Sequence, residues 1–155
     1  MADRLTGEQV GRLPLFVGLT PEEHDELAAL SDVRAVAANT LVFRQGDPSK
    51  ELYVVLEGLI TLSVQNPGYP ESSLLSLHEG ELLGWSALLA RTRMTTARVV
   101  RASRLLRLPA SEILTLCETD HHVGYAIMRH AFEEVAERLR MTQLQLLDVF
   151  GAPGR

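Results

Sequence analysis

The chain has 155 residues and a mass of 17.1 kDa, which fits one compact domain with an appended element better than two domains. A formal net charge of −5 argues against broad electrostatic attraction to nucleic acid. The single cysteine, Cys117, excludes an intrachain disulfide and fits a reducing compartment. Because there is no apolar signal segment and no apolar run of membrane length, we predict a cytoplasmic protein without membrane contact.

The first predicted element is a short helix that begins near residue 20. Thr20 can cap it, Pro21 suits its first position and Glu23 can complete a capping box. One side of this helix is expected to be buried through Leu19, Leu27, Ala28 and Leu30.

Residues 33–108 alternate short β-rich runs with turn residues, a pattern that predicts a sandwich or jelly roll. The predicted strands are 33–36, 40–45, 52–56, 59–64, 73–78, 95–100 and 105–108. The predicted turns lie at Gly46-Asp47, Glu57-Gly58, Asn66-Pro67-Gly68 and Gly80.

Two helices are predicted after Pro109. Ser111 can cap a short one that runs through Cys117, and Thr119 or Asp120 can cap a longer one. On the longer helix, Glu134 and Arg138 are one turn apart and are expected to form an ion pair on its outer side.

The long helix carries a heptad seam. Its positions are Tyr125, Met128, Phe132, Val135, Leu139, Thr142, Leu146 and Val149. Packing on the β domain explains part of the seam, but a helix of about 30 residues is roughly 45 Å long and would extend beyond a small domain. A second copy of the chain is the simplest partner for the distal half.

The segment between two predicted strands, residues 83–95, has the features of a cradle for a phosphate. Gly84 allows a tight turn, successive main-chain N–H groups follow it, and Arg93 supplies a positive charge. The candidate ligand-binding residues of this segment are Leu83, Gly84, Trp85, Ser86, Ala87, Arg93, Met94 and Thr95. An acidic side chain after the glycine would suit a ribose hydroxyl, but this position is occupied by Trp85.

Residues 13–19, 44–47, 53–58, 80–84 and 104–108, in this order, resemble the cyclic-nucleotide-binding domain of the catabolite activator protein and fumarate-nitrate regulator superfamily. The resemblance covers nearly the whole chain. It implies a mainly β fold with flanking helices, a double-stranded β-helix or jelly-roll-like β-roll, plus a long C-terminal dimerisation helix.

On this basis we expect three parts in the chain. Residues 1–119 would form the β-roll with its N-terminal and connecting helices, residues 120–150 the long helix, and residues 151–155 a tail. The homodimer interface implied by the resemblance consists of Met128, Phe132, Val135, Leu139, Thr142 and Leu146.

The resemblance also assigns roles to residues. Gly84 matches the family's phosphate-cassette glycine, Arg93 its phosphate-binding arginine, and Thr142 the helix threonine that reads an adenine amino group. Trp85 replaces the ribose-binding glutamate, and Met94 stands where the family has a hydroxyl. We therefore expect a cyclic nucleotide or related anion as ligand, with cyclic AMP a poor one, and no other cofactor.

Other interpretations of these residues stay open. Arg93 could be a solvated hairpin arginine, and Trp85 could pack in the core. The chain would then be a dimeric interaction module that has lost its ligand. The two functions differ in whether Arg93 faces an open pocket or Trp85 and Met94 fill it.

A metal-dependent enzyme on a jelly-roll fold is a third class. It would need several histidines and a carboxylate converging from strands, but His78 alone lies in the strand region. We therefore predict no enzyme, no catalytic residues and no metal. We also expect no direct DNA binding by this chain, whether it is a stand-alone sensor or lacks a DNA-binding part.

Overall fold

A computed structural model describes residues 3–151. The helices are α1 (Gly7–Gly11), α2 (Pro21–Leu30), α3 (Ala110–Thr119) and α4 (His121–Phe150), with short 3-10 turns at Pro14–Phe16 and Trp85–Leu89. The strands are β1 (Asp32–Val36), β2 (Leu41–Phe43), β3 (Glu51–Val64), β4 (Ser72–Leu77), β5 (Leu82–Leu83) and β6 (Thr96–Pro109). Of the predicted tail, residues 152–155 lie outside the described residues.

The strands form one antiparallel sheet in the order β1-β6-β3-β4, with β2 also paired to β6 and β5 to β3. One core joins the sheet to the helices and includes Leu27, Leu106 and Ile113. A second core consists of strand residues, among them Ile60 and Leu105. This architecture confirms the predicted β-roll with flanking helices and a long C-terminal helix.

The predicted turn at Glu57-Gly58 is wrong, because β3 and β6 each continue as single strands through the places where breaks were expected. Gly58 has a φ of 111°, and a Cβ there would lie 1.9 Å from Ser103 Oγ. The Ser103 hydroxyl also accepts a hydrogen bond from the Leu59 N–H at 3.2 Å and donates one to the Arg101 carbonyl. The glycine therefore serves a register shift between two long strands.

Helix α2 begins as its sequence predicts. The Thr20 hydroxyl accepts from the Glu23 N–H at 3.2 Å, and the Glu23 carboxylate accepts from the Thr20 N–H at 2.9 Å. Asp120 caps α4 by accepting from the N–H groups of His122 and Val123.

The predicted Ser111 cap is wrong. Helix α3 begins at Ala110, directly after Pro109 and two residues earlier than a cap at Ser111 implies, and it has no side-chain cap. The N–H of Ala110 instead donates to the Lys50 carbonyl at 2.9 Å, so the sheet satisfies the first free donor of this helix.

An ion pair ties β1 to β6. Arg107 donates two hydrogen bonds of 2.8 Å to the Asp32 carboxylate, and a third of 2.7 Å reaches Glu51 on β3. The Asp32 side chain is 13% exposed. The hydrogen bonds from Arg107 are the main cause that lowers the pKa of Asp32 from its usual 3.8 to about 2.

We expect Asp32→Asn to lower the free energy of unfolding by about 2 kcal/mol at pH 7. Because the pKa of Asp32 is lower in the folded state, its contribution is complete above the unfolded value of 3.8 and is lost as pH falls toward about 2. Urea unfolding between pH 7 and pH 2.5 checks this. The control is Glu8→Gln, which removes a carboxylate from an exposed ion pair with Arg12 and should change the stability little. Equal stability of Asp32→Asn and the natural chain at pH 7 would contradict it.

Candidate functional site

The segment after β5 turns sharply at Gly84. This residue has φ 85° and ψ 35°, the left-handed conformation that glycine adopts at little cost, and the 3-10 turn Trp85–Leu89 follows it. A Cβ on Gly84 would lie 2.6 Å from Arg93 Nη1 and 3.2 Å from the Glu51 carbonyl oxygen. A glycine is therefore required both by the backbone angle and by the close approach of Arg93.

Arg93 is the central side chain of the site and is only 4% exposed. Its guanidinium donates to the Gly84 carbonyl at 3.2 Å and to the Glu51 carbonyl at 2.7 Å. Its Cζ atom lies 4.1 Å from the centre of the Phe43 ring. The interpretation of Arg93 as a solvated hairpin residue is therefore wrong.

The charge of Arg93 is not neutralised by a carboxylate within 4.0 Å among residues 3–151, and its Nε–H is buried without a hydrogen-bond partner there. Burial lowers the pKa of Arg93, but a guanidinium stays protonated in proteins. A buried cation and an unpaired buried donor are both costly. Both features favour an anion at this position.

A cavity of about 220 Å³ lies between this segment and α4. Its lining residues are Phe43, Leu62, Leu74, Leu75, Gly84, Trp85, Ser86, Met94, Thr95, Val135, Arg138, Leu139 and Thr142. Arg93 does not line it directly, but the guanidinium contacts Gly84 and Phe43, which do. The arginine thus lies immediately behind the cavity wall.

The structure brings most of the predicted ligand-binding residues to this cavity. Gly84, Trp85, Ser86, Met94, Thr95 and Thr142 all line it. Leu83 and Ala87 instead have side chains buried in the two cores, so these two do not reach it. Trp85 and Met94 form part of the wall and leave the cavity open, although Trp85 also packs against the helix-side core.

Sequence reasoning missed the opposite walls of the cavity. They are formed by Phe43, Leu62, Leu74, Leu75, Val135, Arg138 and Leu139. These residues come from four elements far apart in the sequence, and no local motif connects them. Arg138 alone carried a signal, because it lies one helical turn before Thr142.

The prediction that Glu134 and Arg138 lie on the outer side of α4 is wrong. The Glu134 carboxylate accepts from the Leu82 N–H at 2.8 Å, while Arg138 donates to the Leu82 carbonyl and to Glu134. Burial raises the pKa of Glu134 and lowers the pKa of Arg138. We call Glu134, Arg138 and Leu82 the helix clamp; it fixes α4 to β5 two residues before Gly84.

The seam of α4 is largely exposed. Phe132 is 72% exposed, and Met128, Leu139 and Leu146 are exposed as well. Val135 and Thr142 are seam positions that also line the cavity. An exposed apolar stripe of this extent is typical of a protein interface.

We expect Gly84→Ala to be more destabilising than Gly46→Ala, a matched control. Gly46 has a similar φ of 90°, but a Cβ there would meet no atom within 4 Å. Gly46→Ala therefore measures only the loss of stability that a positive φ causes in an alanine, about 1 kcal/mol. At Gly84 the clash with Arg93 and the Glu51 carbonyl should add about 1–2 kcal/mol. Urea unfolding of the two variants checks this, and equal losses would contradict the close packing of Arg93 on Gly84.

Comparison with known proteins agrees with this geometry. Residues 33–120 match the cyclic nucleotide-binding domain family. The chain is 31% identical to the cyclic AMP receptor protein of Thermus thermophilus, over 86% of this chain and 69% of that protein. The chain therefore belongs to the family of cyclic nucleotide-binding domains, of the catabolite activator and fumarate-nitrate regulator type.

Two solved structures support the same assignment. The catabolite activator protein of Thermus thermophilus is 32% identical with a TM-score of 0.71, over 89% of this chain and 63% of that one. The N-terminal domain of a transcriptional regulator from Streptomyces coelicolor A3(2) is 31% identical with a TM-score of 0.67, over 86% of this chain and 93% of that one. The chain thus spans under two thirds of the Thermus structure and nearly all of the Streptomyces domain.

Two further features concern residues 3–151. Among them, no helix combines the length and apolarity that a membrane crossing requires. Within the same residues, no group of three or more His, Cys, Asp or Glu side chains is placed to hold a metal ion.

Proposed function

We propose that this chain is a sensor module that binds an anionic small molecule beside Arg93 and transmits its presence through α4. The observation that carries the proposal is the state of Arg93: a buried guanidinium behind a cavity, with a free Nε–H and no carboxylate within 4.0 Å among residues 3–151. An anion would supply the missing charge and acceptor at once.

The remaining donors of Arg93 are sufficient for this role. A guanidinium has five N–H groups, and Arg93 uses two of them on the carbonyls of Gly84 and Glu51. Those two bonds hold the planar group in place, so little side-chain freedom would be lost when an anion binds. The Ser86 hydroxyl lines the cavity and lies 2.8 Å from the Ser49 hydroxyl.

Cyclic AMP should be a poor ligand. A carboxylate that accepts a hydrogen bond from a ribose hydroxyl would contribute about 1.5–3 kcal/mol, roughly ten- to a hundredfold in affinity. Trp85 lines the cavity after Gly84 and cannot accept that bond. Trp85→Glu is therefore expected to gain affinity for cyclic AMP.

We expect helix α4 to transmit the presence of the ligand to the rest of the molecule. It lines the cavity through Val135, Leu139 and Thr142, and the helix clamp attaches it to β5 next to Gly84. A ligand in the cavity would therefore contact both the cradle and the helix. The exposed seam on the same helix is the surface through which we expect two copies of the chain to associate as a homodimer.

The alternative function is a dimeric interaction module without a ligand. It is favoured by the small size of the cavity and by the packing of Trp85 against the core. In either case we propose a cytoplasmic, non-catalytic chain that does not itself bind DNA or membranes. Its net charge of −5 supports this for nucleic acid.

Calorimetric titration separates the two functions. The natural chain and Arg93→Ala are titrated with inorganic phosphate, cyclic AMP and a cyclic dinucleotide. Saturable binding of any of these anions that Arg93→Ala abolishes is the expected result. If both chains give only heats of dilution with these anions, and also with phenyl phosphate, the interaction module is favoured.

A further inference from the structure

We infer that the cavity selects a small anion with an apolar body, and that a nucleotide is not its ligand; this rests on the proposed function as an anion sensor. Eight of the thirteen lining residues are apolar or aromatic, and they come from β2, β3, β4, the cradle segment and α4. The apolar character therefore surrounds the cavity from several directions.

The lining offers few groups for a ligand rich in hydroxyls. It contains no acidic residue among the described residues. The carboxylate of Glu134, on α4, already binds the Leu82 N–H and Arg138. The Thr142 hydroxyl donates to the Arg138 carbonyl at 2.9 Å, and the Ser86 hydroxyl is paired with Ser49. A sugar would therefore leave several of its hydroxyls without a protein partner, which costs free energy for each hydroxyl that loses its water.

Among the described residues, two arginines adjoin the cavity, and they differ in whether a carboxylate lies within 4.0 Å of the guanidinium. Arg138 lines the cavity but lies 3.1 Å from the Glu134 carboxylate, which neutralises it. Arg93 lacks such a partner within 4.0 Å among the described residues and keeps a buried free N–H. The complementary ligand has a single anionic group directed at Arg93 and an apolar remainder against Trp85 and Leu139.

The size of the cavity agrees with a ligand whose apolar part is small. Its volume of about 220 Å³ lies below the range of about 300–1,000 Å³ that is usual for pockets binding drug-sized ligands. A single aromatic ring or a short alkyl chain carrying a phosphate or carboxylate would suit this volume and this lining.

The test uses two probes with the same anionic group and different bodies, phenyl phosphate and ribose 5-phosphate, together with inorganic phosphate and cyclic AMP. Calorimetry on the natural chain should give at least tenfold tighter binding of phenyl phosphate than of the other three, a difference of about 1.4 kcal/mol. Ribose 5-phosphate or cyclic AMP binding as tightly as phenyl phosphate would overturn the inference while the proposed function stands. No binding of any probe would overturn both.

Two variants test whether the cavity lining causes the preference for an apolar ligand. Trp85→Glu should reduce or reverse the preference for phenyl phosphate over ribose 5-phosphate. Since Trp85 also packs on the core, Met94→Gln is the second variant: Met94 is 54% exposed and lines the cavity, so this change should not affect folding. It should weaken the binding of phenyl phosphate several-fold and that of inorganic phosphate much less. A preference that neither folded variant alters would overturn the inference.

Discussion

Arg93→Ala is expected to weaken binding of the tightest anion found by calorimetry by at least a hundredfold. Hydrogen bonds to a charged group contribute about 1.5–3 kcal/mol each, and Arg93 can offer an anion more than one. Arg91→Ala is the matched control, because Arg91 is an exposed arginine in the same loop. It should leave the affinity unchanged.

The same variant should fold. Arg93 is a buried charge whose Nε–H has no partner, so its removal eliminates a desolvation cost at the same time as two hydrogen bonds to carbonyls. Arg93→Lys tests the geometry, because an ammonium keeps the charge but cannot reproduce the planar fork. Circular dichroism and urea unfolding establish that both variants are folded. Binding that is equal in Arg93→Ala and in the natural chain would exclude the cradle as the anion site.

Leu146→Glu is expected to convert the chain from a dimer to a monomer. Leu146 is an exposed seam position of α4 that does not line the cavity, so its loss should affect association without changing the ligand site. In a symmetric interface each chain would lose a buried leucine and gain a charge facing its own copy. The dissociation constant should rise more than a hundredfold, since about 1.5–3 kcal/mol is lost per leucine.

Leu147→Glu provides the matched control for this prediction. It is the same substitution at the next residue, also exposed on α4, but outside the heptad seam. Sedimentation velocity at tens of micromolar should show the natural chain and Leu147→Glu as dimers and Leu146→Glu as a monomer. A natural chain that is monomeric under these conditions, or two variants with the same behaviour, would contradict the seam.

Local signals in the sequence predicted the starts of α2 and α4 but not that of α3. The capping box of Thr20 and Glu23 and the cap at Asp120 depend on neighbouring residues only, and both are present. Gly58 was misinterpreted as a turn because its requirement comes from Ser103, which lies 45 positions away in the sequence and opposite it in the sheet. Long-range pairing of this kind leaves no local trace.

In the candidate site, too, some features could be predicted from the sequence and others could not. Gly84, Trp85 and Arg93 could be found because they lie in one short segment whose composition suits an anion. The burial of Arg93 and the contact of Glu134 with Leu82 depend on how α4 and β2 pack around that segment, so they required the structure. The seam was predictable from the heptad spacing of its apolar residues. That spacing does not show which seam residues line the cavity: Val135 does, and Leu146 does not.

The central claim is that the Nε–H of Arg93 binds an anion, and nuclear magnetic resonance of arginine side chains tests it most directly. The Arg93 Nε–H signal is assigned by its loss in Arg93→Lys and followed while phenyl phosphate is added to the natural chain. We expect a large, saturable shift of this signal, because a buried N–H without a partner among the described residues gains a charged acceptor. An Arg93 signal that stays unmoved while calorimetry shows the probe bound would contradict it.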